Sequence, residues 1–108
     1  MHVTTDLSIM DDTRITKRKD RLKMLWISLK KTHEVYGKQY YLMTRQANDI
    51  MVRFDRATKN ENHAFVSSYK IRLQIYTAII HQLDNKLMNL EQQLRDMIPV
   101  LRRFGIYR

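Results

Sequence analysis

Cysteine is absent from this sequence, which removes disulfides, thiolate metal sites and cysteine nucleophiles from consideration. Proline occurs once and glycine twice. A sheet protein of this length needs many tight turns, and turns draw on those two residues, so the chain has few bends. No apolar run approaches the roughly 18–20 residues that cross a bilayer. The N-terminus lacks the apolar core of a secretory signal, and Asp6, Asp11 and Asp12 are foreign to mitochondrial presequences, which avoid acids. An intracellular chain, cytoplasmic or nuclear, is the expectation. Acidic residues are also short, 11 against 20 Lys and Arg, for a net charge of +9.

What is present is enough apolar material for a fold: 44% hydrophobic and 29% charged residues within 108, room for one domain at most. The excess positive charge is uneven. Residues 1–12 carry three acids and no base, whereas residues 13–31 carry eight bases against Asp20.

The apolar residues repeat with a 4-3 spacing, the 3.5-residue period of a coiled-coil seam. In the first half this runs Leu22, Trp26, Leu29, His33, Tyr36, Tyr40, Met43, Ala47, Ile50, Phe54, Ala57, with Ile15 one heptad earlier. Gly37 sits inside it without shifting the phase, a soft point costing roughly 1 kcal/mol relative to Ala. Six polar residues, Thr58 to His63, interrupt the pattern. It resumes out of phase as Val66, Tyr69, Leu73, Tyr76, Ile80, Leu83, Leu87, Leu90, Leu94, Met97, Leu101, Phe104. A phase break beside a polar gap predicts a turn. Asn60 and Asn62 suit it, because Asn tolerates left-handed backbone and caps helices. Thr58-x-x-Glu61 offers a competing capping box that would start the second helix earlier.

Folding the chain at 61–62 pairs seam residues whose numbers sum to 123: Leu22 with Leu101, Trp26 with Met97, Leu29 with Leu94, Ala47 with Tyr76, Ile50 with Leu73. Every seam position from 22 to 57 finds a partner. The predicted fold is therefore all-α, an antiparallel two-helix coiled-coil hairpin. Its helices span 13–58 and 63–98, with a turn over 59–62 and a short C-terminal turn after Pro99. The competing arrangement is one uninterrupted helix in a parallel dimer. Asp12 or Thr13 is the expected N-cap, which leaves residues 1–11 as a flexible tail, 12–104 as one helical domain and 105–108 as a C-terminal tail. Pro99 disfavours helical geometry at Ile98, and Gly105 followed by Ile106 resembles a glycine helix stop.

Sites for chemistry are missing. His2, His33, His63 and His81 share no ligand spacing, and no His-Glu-x-x-His pattern occurs. His33 reads as a polar register marker in the seam. The serines lack a His/Asp arrangement, and there is no Gly-rich phosphate loop. The chain is expected to be no enzyme, and to need no cofactor and no small-molecule substrate. Tyr36, Tyr40, Tyr69 and Tyr76 fall at seam positions, so they read as packing residues and not as base-stacking platforms.

Two surface features remain. Arg14, Lys17, Arg18 and Arg21 share one helical face, with Lys19 and Lys23 on the other flank. A hairpin returns Arg95, Arg102 and Arg103 to the same open end, a candidate site for nucleic acid, anionic membrane or acidic protein. The second feature is apolar: Met24, Ile27, Val35 and Leu42 on the first helix, and Ile71, Ile75, Ala78 and Ile79 on the second, lie away from the seam. One shared seam buries few side chains for each residue ordered, so a lone hairpin is marginal. Oligomerisation into a helical bundle would cover these stripes. The expected function is a coiled-coil structural or adaptor subunit that assembles with itself or with partner helices. The alternatives are a nucleic-acid-binding module using the basic end and a peripheral contact with anionic membrane.

Overall fold

The computed structural model describes the backbone of residues 2–106 and the side chains of residues 13–106. It consists of two long helices, α1 (His2–Lys59) and α2 (His63–Arg103), folded into a hairpin, with no strand among the described residues.

The two helix ends at the turn explain why the chain reverses here. Asn62 N–H donates to Ala57 C=O (3.0 Å) and Glu61 N–H to Thr58 C=O (3.2 Å). These are the paired bonds of a Schellman stop, which satisfies carbonyls that the helix leaves open. The motif requires a left-handed residue, and Glu61 supplies it with φ of 55°. Asn62 then caps α2, its Oδ1 accepting from Phe65 N–H at 3.4 Å. The capping box at Thr58 does not form. The Thr58 hydroxyl instead donates to Phe54 C=O at 2.8 Å, inside α1.

The far end of α2 repeats the same stop with a glycine. Gly105 (φ 73°) donates to Arg102 C=O at 3.0 Å, and Ile106 N–H to Leu101 C=O at 2.9 Å. Leu101, the residue an apolar contact from Ile106 would meet in this motif, is fully buried.

Two helix boundaries differ from expectation. The first helix begins at His2, ten residues before the predicted start at 12–13, so the stretch assigned to a tail is helical backbone. Asp11-Asp12-Thr13 looks like a cap, but nothing upstream breaks a helix: no Gly or Pro precedes Gly37. The second helix passes through Pro99 to Arg103 instead of ending near Ile98. Pro99 is exposed, on the outward side of the helix, while seam residues Met97 and Leu101 flank it and keep the helix packed. Residues 107 and 108 of the predicted C-terminal tail lie outside the described residues.

The chain divides into two compact units: Met1–Thr32 with Glu91–Arg108, and His33–Leu90. In the first unit Leu22, Trp26, Leu29, Leu94, Met97 and Phe104 are half-buried and Leu101 is fully buried. In the second, Ile50, Ala57, Leu83 and Leu90 are buried. Tyr36, Tyr40, Met43, Ala47, Phe54, Val66, Tyr69, Leu73, Tyr76, Ile80 and Leu87 are half-buried beside them, and so is His33. The Lys86 ammonium stands 5.2 Å from the Tyr36 ring centroid, which puts residue 86 beside residue 36, one position from the pairing of Tyr36 with Leu87.

Candidate interaction surfaces

Arg14, Lys17, Arg18 and Arg21 follow one another at i, i+3, i+4 and i+7, so α1 carries them on a single face. All four are exposed, and together they line a shallow groove of about 310 Å³. Arg95, Arg102 and Arg103 belong to the same unit but do not line that groove. Arg95 is engaged locally: it donates to Gln92 Oε1 at 2.9 Å, and Gln92 Nε2 donates to Asp96 Oδ1 at 2.7 Å. Arg102 and Arg103 are exposed in the last turn of α2, where cations suit the negative end of the helix dipole. Lys19 departs from its expected flank. It is half-buried.

Of the apolar residues set aside from the seam, Met24, Ile27, Val35, Leu42, Ile71 and Ile75 are each more than half exposed, with Met24 the most open at 71%. Ala78 is exposed, and Ile79 is half-buried. The exposed apolar set is larger than the sequence reading found. Leu25, Tyr41, Met51, Val52, Phe65 and Met88 belong to it as well, and so does Ile15, which the repeat assigns to the seam but which is 53% exposed. Tyr41 and Leu42 share a largely apolar groove of about 490 Å³ beside Gly37, framed by the Glu34–Lys38 ion pair at 3.3 Å. In the first unit Met24 and Ile27, with Ser28, Lys31 and Thr32, line a groove of about 370 Å³.

A third feature had no counterpart in the sequence reading. At the turn, Arg53, Arg56, Asn60, Asn62, Phe65 and Tyr69 surround a cleft of about 440 Å³. Phe65 and Tyr69 stack there, with centroids 6.0 Å apart and planes at 21°, while Arg53 is held by Asp49 at 3.3 Å. Helix spacing brings Phe65 beside Tyr69, but only the turn geometry brings the end of α1 to them.

Among the described residues no three His, Cys, Asp or Glu side chains gather as metal ligands would, and no helix is long and apolar enough to cross a membrane. Comparisons with known protein families, with curated proteins and with solved structures found no match.

Proposed function

We propose that this chain is a non-enzymatic structural subunit that assembles with further helices through the apolar faces left open by its own seam. The observation that carries this reading is the set of large apolar side chains left exposed at helical spacing. Among the described residues thirteen large hydrophobics are exposed, against four buried ones. Single exposed apolar side chains are ordinary, but grouped ones at helical spacing call for a cover.

The test uses Ile71 and Ile75, which share an outward stripe of α2 and are 58% and 54% exposed. The double substitution Ile71→Glu, Ile75→Glu leaves the seam intact and places charges where an interface would desolvate them. Sedimentation equilibrium is expected to find the wild type associated, with itself or with a co-expressed partner, and the variant monomeric with unchanged helicity. A wild type that is a stable monomer, and a variant that melts at the same temperature, would refute the proposal. The four-cation groove favours an anionic partner in addition. Nucleic acid and anionic membrane, the two alternative readings, are therefore arms of the experiment below.

A further inference from the structure

The basic groove and the apolar groove beside it lie in the same unit and follow one another along α1. Arg14, Lys17, Arg18 and Arg21 line the first, and Met24, Ile27, Ser28 and Lys31 belong to the second. Steps of three, four and seven residues join them: Lys17 to Met24, Arg18 to Leu25, Arg21 to both. Leu25 is half exposed, so it extends the strip. From Arg14 to Ser28 the strip is about 21 Å long, at 1.5 Å per residue. We propose that this strip seats an acidic amphipathic helix of another protein, about 15 residues long. Its carboxylates would meet the guanidinium groups, and its apolar residues would lie on Met24 and Leu25, which share the cations' side of the helix. This inference rests on the assembly reading above and names the chemistry of one partner.

Charge selects that occupant. Over residues 1–32 and 91–108 the unit holds twelve Lys and Arg against six Asp and Glu. A second copy would bring the same excess against itself. Arg groups accept carboxylates in bidentate geometry, which gives the contact direction as well as attraction. A duplex nucleic acid would satisfy the cations and leave Met24 and Leu25 against a charged backbone. A membrane-surface helix buries one apolar face along its length and keeps cations on the opposite side. Here Arg21 lies between the other cations and the apolar pair, and the helix's continuous apolar side already forms the seam.

The test is fluorescence anisotropy on the full chain with three labelled helical peptides. The first carries Glu, with Leu at i, i+3, i+7 and i+10. The second has every Glu replaced by Lys, and the third has every Leu replaced by Ser. The Glu–Leu peptide is expected to bind, with affinity falling about tenfold or more between low and moderate salt. The Lys–Leu peptide is expected to fail, and the Glu–Ser peptide to bind at least about tenfold more weakly than the first, since each buried apolar side chain contributes. The triple substitution Arg14→Glu, Arg18→Glu, Arg21→Glu should lose the Glu–Leu peptide and gain the Lys–Leu peptide. A misfolded variant would not give that exchange. Met24→Ser with Leu25→Ser should weaken the Glu–Leu peptide and leave the Glu–Ser peptide unchanged. Absence of the charge exchange overturns the proposal. So does tighter binding, in the same buffer, of a short DNA duplex or of phosphatidylserine vesicles. Ile71→Glu, Ile75→Glu lies off this strip and should keep the peptide. If the wild type assembles yet ignores the Glu–Leu peptide, this inference alone falls. If the peptide binds yet no assembly forms, the proposal for the α2 stripe falls.

Discussion

Glu61 is the residue on which the reversal of the chain depends, and replacing it with glycine tests the hairpin by the sign of the effect. A side chain at φ of 55° crowds the following carbonyl, at a cost of about 1–2 kcal/mol. Glycine removes that crowding but loses about 0.5–1 kcal/mol more backbone entropy on folding. Glu61 is exposed. Glu61→Gly should therefore stabilise the protein by about 0.5–1 kcal/mol. At this chain length that raises the melting midpoint by roughly 2–4 °C. In one continuous helix the same change would place glycine in a helix interior and cost about 1 kcal/mol. Thermal and urea melts followed by circular dichroism, at one fixed protein concentration because assembly adds stability, measure the difference. A midpoint that falls would refute the left-handed stop at residue 61. Gly105 is the control: it holds φ of 73° at the equivalent position of α2, so Gly105→Ala should destabilise by about 1 kcal/mol.

Two further substitutions probe the interior of α1. Gly37→Ala meets nothing within 4 Å of the new methyl and should stabilise by about 1 kcal/mol in the same melts; a loss would mean that the helix needs to bend there. Thr44 Oγ1 is buried without a hydrogen-bond partner, so Thr44→Val, which keeps the shape and removes the hydroxyl, should raise stability by about 1 kcal/mol, whereas an unchanged or lower urea midpoint would show that the hydroxyl carries no such penalty.

The seam was legible because a 3.5-residue repeat survives any ambiguity about ends. From Leu22 to Phe104 each apolar position of the repeat is buried or half-buried. The ends were harder. Asp12 has the chemistry of a cap, but capping describes how a helix can start and not that it must, and an unbroken run upstream lets α1 reach His2. Pro99 has the chemistry of a stop, yet packing at Met97 and Leu101 overrides local preference. The cation groove was visible because four residues on one helix define it, and periodicity reports within one element. The cleft at Arg53, Arg56, Phe65 and Tyr69 was not, because it joins two elements through a turn whose left-handed residue is a glutamate, and Glu carries no signal for that geometry.

The Schellman stop at 57–62 closes within six residues, so the reversal is specified before any distant part of the chain arrives. Pairs next to the turn, such as Ala57 with Val66, require a loop of only a few residues, and each later pair is brought near by the one before it. Loop-closure entropy, the usual toll on joining remote segments, is thus met in small steps. Within His33–Leu90 the chain can close like a zipper from this turn, with local contacts formed first and those of Tyr36 last. Changes at Glu61 should then alter how fast this unit folds, and changes around Tyr36 how fast it opens.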